Sequence, residues 1–164
     1  LQYAPTERCP WRNRLLCGEV HDDNAWLMGG VGGHAGLFGR LQDVAEWAWD
    51  FIDAYHGRPS ALPSLRADIL QRACELDWRA PQAGSYVLGW DTPSAGYTSA
   101  GAFFSPQSIG HLGFTGTSLW MDVEAEVVMV LLTNRVHPTR ERGAGVRWLR
   151  PALHDAAWRA LESS

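Results

Sequence analysis

Within Gly110-His111-Leu112-Gly113-Phe114-Thr115-Gly116-Thr117-Ser118-Leu119-Trp120 two strands are expected, at about 109–114 and 117–123. Strand side chains alternate with period two, so His111 and Gly113 share a face, and the glycine leaves that face open beside the imidazole. A carbonyl lying there could accept a hydrogen bond from the next amide along the strand, that of Phe114.

Outward from this stretch, the apolar run 126–133 reads as a further strand, with Val127-Val128-Met129-Val130-Leu131-Leu132 at its heart. Only a short polar connection near Glu124-Ala125 separates it from 117–123, which makes the two an antiparallel hairpin. Tyr86–Trp90 is a fourth candidate strand. Helices are expected over about 41–55, with Leu41, Val44, Ala48, Phe51, Ile52 and Tyr55 at helical spacing, and over about 64–76. The second starts after Pro63 with Ser64 as N-cap and carries Leu65, Ile69, Ala73 and Leu76 on one face. A last helix follows Gly143-Ala144-Gly145 and aligns Val146, Leu149, Leu153, Ala156, Ala157 and Leu161. Residues 1–24 show little periodicity and read as extended loop. Gly29, Gly30, Gly32, Gly33, Gly36 and Gly39 crowd residues 29–39, which implies positive φ angles or close backbone approaches. The fold class is therefore α+β, an antiparallel sheet with helices packed on it, in one domain over residues 1–164. A sheet of about four strands with no upstream partner has an unprotected edge, through which the chain is expected to self-associate at high concentration.

Composition removes several functions. The chain has 164 residues, 46% apolar and 20% charged, with a net charge of −4. It is long enough to bury roughly 68–70% of its unfolded surface. All 14 Lys+Arg positions are arginines, scattered rather than gathered in a basic stripe, so nucleic acid is not an expected partner. The absence of lysine excludes phosphate-loop, Schiff-base and Ser-x-x-Lys chemistry in this chain. Cys9, Cys17 and Cys74 form no Cys-x-x-Cys pair and read as single buried thiols. No apolar stretch reaches the ~18 residues of a membrane span, and Leu1–Glu7 does not resemble a signal peptide. Gly30-Val31-Gly32-Gly33-His34-Ala35 formally matches a dinucleotide-binding turn, but no clear strand precedes it and no βαβ array follows, so no cofactor is expected. His21, Asp22 and Asp23 could ligate a metal; they suit a solvated loop with Asx turns better, and no metal site is expected. His34 reads as a hydrogen-bonded structural histidine. Trp47, Trp148 and Trp158 read as helix residues packed on the sheet, against a weaker sugar-stacking alternative.

His111-Leu112-Gly113 resembles the Lys-Thr-Gly or His-x-Gly strand of the β-lactamase-related serine hydrolases, the superfamily of class C β-lactamases, penicillin-binding proteins, DD-peptidases and related esterases. Three flanking segments strengthen the resemblance: Gly18-Glu19-Val20-His21-Asp22-Asp23-Asn24-Ala25, Gly29–Phe38, and Leu131-Leu132-Thr133-Asn134-Arg135-Val136-His137-Pro138. The resemblance implies a partial β-lactamase/transpeptidase-like fold and a serine acyl-enzyme mechanism on β-lactam, peptide or ester bonds. It also implies a small-molecule or cell-wall peptide substrate and a periplasmic or cell-envelope location. The family's Ser-x-x-Lys and Tyr-x-Asn or Ser-x-Asn motifs are absent, and both precede the matched segments in the family. The chain thus resembles the C-terminal half of a longer hydrolase, expected to be inactive without the N-terminal part that brings the nucleophile.

Among the residues that remain, the resemblance casts His111 as the strand-motif base or cation, a conditional charge because histidine titrates at about 6.5 in isolation. It casts Gly113 as the position that gives the acyl group room and the Phe114 N–H as the oxyanion donor. Leu112 stands where a substrate-contacting threonine is common, and Asn134 and Arg135 read either as binders of a substrate carboxylate or as a surface strand end with a solvated arginine. Ser118 and Thr117 read as strand hydroxyls. The alternative from a different class is a non-catalytic binding or interaction domain derived from the same fold, pairing with another chain through its free sheet edge.

Overall fold

In the computed structural model, which describes residues 3–75 and 85–163, the elements run β1 (Arg8–Cys9), β2 (Arg14–Leu15), α1 (Asp23–Leu27), α2 (Leu41–Tyr55), α3 (Ala67–Cys74), β3 (Ile109–Leu112), β4 (Ser118–Asp122) and β5 (Val127–Leu131). A 3-10 turn (Arg140–Gly145) and α4 (Val146–Glu162) follow. The main sheet is antiparallel with order β3-β4-β5, and its register pairs Gly110 with Trp120 and Trp120 with Met129. The α+β arrangement expected from the sequence is therefore present, with three strands rather than four. Tyr86–Trp90 does not form a strand: Val87 N–H bonds back to the Trp90 carbonyl across a turn in which Gly89 has φ +82°. Only Asp91 reaches the sheet, bridging Gly110 on the outer side of β3. Among the described residues β5 has no second neighbour.

Period-two alternation sorts the sheet into two faces. Ile109, Met121 and the half-buried Leu119 and Val128 meet Ala48, Phe51 and Ile52 of α2 and Leu70 and Cys74 of α3. Trp120 and Met129 point the other way, toward Ala100, Phe104 and Trp158 of α4. Each of the larger side chains contributes about 1.5–3 kcal/mol by leaving water. Helix α2 has the predicted limits because Asp43 reaches back to the Arg40 N–H at 3.1 Å, closing the first turn, while its apolar positions track the sheet. Helix α3 begins at Ala67, with Arg66 rather than Ser64 at the cap, and turns Leu70 and Cys74 inward while Ile69 stays exposed. The predicted inward Leu76 lies outside the described residues.

Helix α4 has the predicted span and the opposite face. Arg150 and His154 are buried and Trp158 half-buried, while Leu149, Leu153, Ala156, Ala157 and Leu161 face outward. The polar pair wins the sheet side because each finds carbonyl partners there, whereas a leucine would leave those carbonyls with one donor fewer. Pro151 cannot donate to the Arg147 carbonyl one turn back, and the Tyr97 hydroxyl takes that acceptor instead. Trp148 is exposed and edges against Tyr97, so of the three helix tryptophans only Trp158 joins the core beneath the sheet; Trp47 instead packs with Phe51 and Trp90.

Residues before α1 are not a plain loop. The β1–β2 ribbon and α1 are gathered around the buried Arg12, which donates to the Val20 and His21 carbonyls at 2.8 and 3.1 Å, pairs with Asp23 at 2.8 Å and lies against the rings of Trp11 and Trp26. Cys9 and Cys74 are buried as expected; Cys17 is exposed, its thiol against the Tyr3 carbonyl. Glu7, 2% exposed, joins this segment to the far end of the chain: it pairs with His21 at 2.9 Å and with Arg140 at 2.7 Å. The Arg140 hydrogen bonds draw the Glu7 carboxyl from an ordinary 4.5 down to about 2, against the opposing effect of burial and with a smaller contribution from His21.

A carboxyl with a depressed pKa stabilises the fold above its unfolded value and loses that contribution as pH falls through the folded one. Stability of the chain is therefore expected to drop between pH 4.5 and 2, and Glu7→Gln should flatten this part of the curve. Removing one member of a buried pair costs about 3–5 kcal/mol, so Glu7→Gln should also lower Tm by roughly 10 °C at neutral pH. Thermal melts of both proteins across that pH range check this; parallel curves would remove Glu7 from the account.

Candidate active site

Residues 113–117 connect β3 to β4, with Phe114, Thr115 and Gly116 forming the loop inside the Gly113–Thr117 pair. Gly113 N–H donates to the Thr117 carbonyl at 2.9 Å and Gly116 N–H returns to the Gly113 carbonyl at 3.0 Å, the pattern of a three-residue hairpin loop. Such a loop needs its third residue in the left-handed region, and Gly116 has φ +112°. Gly113 meets a different constraint, because a Cβ there would collide with the Thr117 hydroxyl across the ribbon. The glycine face that the sequence suggests as open thus holds the Thr117 side chain.

The chain clasps this loop from three directions. Beyond β5, Thr133 donates its hydroxyl to the Gly116 carbonyl at 2.7 Å and Arg135 N–H bonds the Thr115 carbonyl at 2.9 Å. From α4, Arg150 Nη2 donates to the Gly113 and Thr117 carbonyls, both at 2.8 Å. From the N-terminal segment, the His21 ring stacks on Phe114 with centroids 5.7 Å apart and planes 22° from parallel.

Of the residues singled out in the sequence, the structure brings Phe114 and Arg135 into contact. The Arg135 guanidinium lies 4.3 Å from the Phe114 ring centroid, and its Nε–H donates to the Phe114 carbonyl. Neither terminal nitrogen of Arg135 has an acceptor among the described residues. Phe114 is 57% exposed as a residue, and its N–H also has no acceptor there. His111 is exposed on the same sheet face as Ile109, past the cover of α2, and makes no hydrogen bond with the described residues. Leu112 is half-buried on the opposite face, toward α4. Asn134 turns to the N-terminal segment, where its Nδ2 donates to the Pro5 carbonyl, and its buried Oδ1 has no partner among the described residues.

Arg135 and Arg150 pair with no carboxylate among the described residues, so the hairpin end carries two positive charges without local compensation. Burial first, and then the neighbouring charge of Arg135, lower the Arg150 pKa from its ordinary value; a guanidinium still stays charged. The sequence motifs pass over Arg150, and they single out His21 for a loop or a metal and not for stacking on Phe114. Arg150, His154 and Trp158 recur every four residues, a polar and aromatic stripe that competes with the leucines for the inner face and is the available signal.

Two other clusters invite chemistry. The Ser118 hydroxyl lies 3.3 Å from His154 Nε2, and Nδ1 donates to the Ser99 carbonyl at 2.9 Å. Both side chains are buried and burial lowers the His154 pKa, so the pair is a neutral interior hydrogen bond with no route for a substrate. In the glycine-rich loop, His34 bonds Asp22 at 2.9 Å, and Asp22 also caps α1 through the Ala25 N–H. The Ala25 amide, followed by His34, draws the Asp22 carboxyl below its usual value. At Gly36, φ is +119° and a Cβ would come within 2.6 Å of the Gly30 carbonyl, so this loop needs its glycines for backbone approach. An open cavity of about 410 Å³ lies between it and Glu19, lined by Val20, Trp26, Val31 and Phe38. No group of three or more His, Cys, Asp or Glu among the described residues is arranged to hold a metal.

Residues 2–153 match the family model described as Beta-lactamase. Relatives named "Putative D-alanyl-D-alanine carboxypeptidase" from Salmonella gallinarum, Salmonella agona and Salmonella typhi are each 33% identical over 129 residues, covering 77% of this chain and 29% of the relative. The chain thus spans less than a third of the length of these relatives. No solved structure gives a significant match. A family match over nearly the whole chain, ending in the helix that holds the hairpin, shows that the chain belongs to the β-lactamase family.

Proposed function

We propose that this chain supplies the strand side of the active site in a serine hydrolase that works through an acyl-enzyme on peptides ending in a free carboxylate, of D-alanyl-D-alanine type. The observation that carries the reading is the pairing of an unoccupied Phe114 N–H with an Arg135 guanidinium whose terminal nitrogens have no protein acceptor. One donor suits the oxyanion that forms as a serine attacks a carbonyl, and the other suits a carboxylate nearby. The names of the relatives support a peptide over an ester or a β-lactam as the ordinary substrate.

His111, exposed on the same face as Gly113, stands to exchange a proton with the leaving group or the serine. The serine itself comes from the part of the enzyme that carries Ser-x-x-Lys. Leu27, Met28, Val31, Leu37 and Phe38 are exposed together around α1 and the glycine-rich loop, an apolar patch of the kind that marks a contact surface. In this reading that patch meets the nucleophile-bearing part.

Incubated with a fluorescent penicillin, the 164-residue chain is expected to take no covalent label; a labelled band would place a nucleophile within it. In an enzyme that joins this chain to the Ser-x-x-Lys part, Arg135→Ala should raise KM for a D-alanyl-D-alanine peptide by about 10- to 100-fold, the worth of a hydrogen-bonded charge. It should leave KM for the corresponding C-terminal amide nearly unchanged, and equal effects on both substrates would reject the carboxylate contact. His111→Ala should lower kcat by roughly 10²-fold or more and remove one limb of the pH–rate profile.

A further inference from the structure

Arg150 has features that a stapling role does not require. It is 7% exposed, pairs with no carboxylate among the described residues, and leaves its buried Nε without a partner. A buried cation of this kind is costly unless something retains it. Its two acceptors do not need it. The Gly113 carbonyl already takes the Gly116 N–H, and the Thr117 carbonyl already takes the Gly113 N–H, so the hairpin is closed by its own backbone. Arg150 adds a second, charged donor to each.

The consequence lies one bond away. Gly113 C=O and Phe114 N–H belong to the same trans peptide unit, so they point in opposite directions. Gly113 lacks a Cβ, so within the loop the Gly116 N–H bond alone restrains that peptide against rotation on its carbonyl side. A cation fixed on the carbonyl selects one orientation and turns the N–H outward, away from α4. Arg135 fixes the following carbonyl, that of Phe114, so the amide is held between two arginine-bonded carbonyls. A charge-assisted bond at the carbonyl also polarises the peptide and strengthens its N–H as a donor.

We propose that Arg150 is a positioning residue for the oxyanion donor: from α4 it locks the Gly113–Phe114 peptide with the Phe114 N–H directed into the site and polarised for anion binding. The assignment rests on the reading of Phe114 given above and adds a residue that acts through the peptide bearing the donor and not through substrate. It accounts for why the sheet-facing stripe of α4 holds an arginine where leucines lie ready on the other face.

The test separates the two claims. In the 164-residue chain, ¹H–¹⁵N spectra of wild type, Arg150→Met, Arg150→Gln and Arg150→Lys are compared at the Phe114 amide, with the amides of the Asp122–Glu126 turn as internal reference. Loss of the charge in Met and Gln should move the Phe114 amide proton upfield by several tenths of a ppm and broaden it, with Lys between these and wild type. The reference amides should stay in place. An unmoved Phe114 amide, a shift shared equally by the reference turn, or unfolding of all three variants would overturn the positioning role, the last by showing a staple. In the enzyme joined to its Ser-x-x-Lys part, Arg150→Met should lower the acylation rate with fluorescent penicillin about 10- to 100-fold with KM within twofold, less than the loss of a whole oxyanion donor. If the amide responds and acylation does not, the positioning holds and the oxyanion assignment of Phe114 falls.

Discussion

Strand β4 is buried on both faces and paired along both edges, and the candidate site is hung from it. Trp120 and Met121, adjacent in sequence and both fully buried, commit opposite sides of one ribbon to two separate cores. A one-residue slip would exchange them and put each into a space shaped for the other. The register so fixed carries through the three-residue loop and sets where Phe114 and His111 stand. At the other end Asp122 closes the ribbon: its carboxylate accepts the Glu124 and Ala125 amides of the following turn and the Ser105 and Ser108 donors of the preceding segment. Burial alone would raise its pKa, yet these hydrogen bonds outweigh that and keep it low.

The site sits at the open end of this ribbon because three distant parts of the chain converge there. Residues 21, 135 and 150 come from the N-terminal segment, the exit of β5 and the first turns of α4, and each touches the loop through a different interaction: ring stacking, cation–π with a hydrogen bond, and paired carbonyl hydrogen bonds. Such a loop is restrained without being covered. Its amide and its arginine keep unused donors, which is the condition for binding an anion from outside.

What could be read from the sequence divides along the same physical line. Helix α2 and the β4–β5 hairpin were legible because local rules agree with tertiary demands: Asp43 closes the first turn of α2 with its backbone carboxylate bond, and the Glu124-Ala125 connection is too short for anything but a hairpin. The His111-Leu112-Gly113 strand was legible through its spacing. The face of α4 was not, because hydrophobic periodicity assumes that the apolar stripe is the inner one. Here Arg150 and His154 are inner, held by carbonyls of Gly113, Thr117 and Ser99 that come from elsewhere in the chain. Tyr86–Trp90 failed for a related reason: its β-forming residues fold back across Gly89, so their strand preference is spent within a turn. The N-terminal segment likewise shows no period, since Glu7, Arg12 and His21 are organised by charge pairing and not by burial of a stripe.

The sheet has helices on both faces, yet among the described residues β5 has a neighbour on one side only, and Leu149, Leu153 and Leu161 of α4 are exposed. A strand edge and an apolar helix face are costly to leave in water for opposite reasons, unpaired backbone donors in one case and exposed hydrocarbon in the other. The hairpin is different: its backbone is closed, its loop is clasped from three sides, and its unused donors are charged or polar groups stable in water. The geometry of the candidate site is thus set by contacts among these residues and does not depend on the free side of β5 or on the outer face of α4.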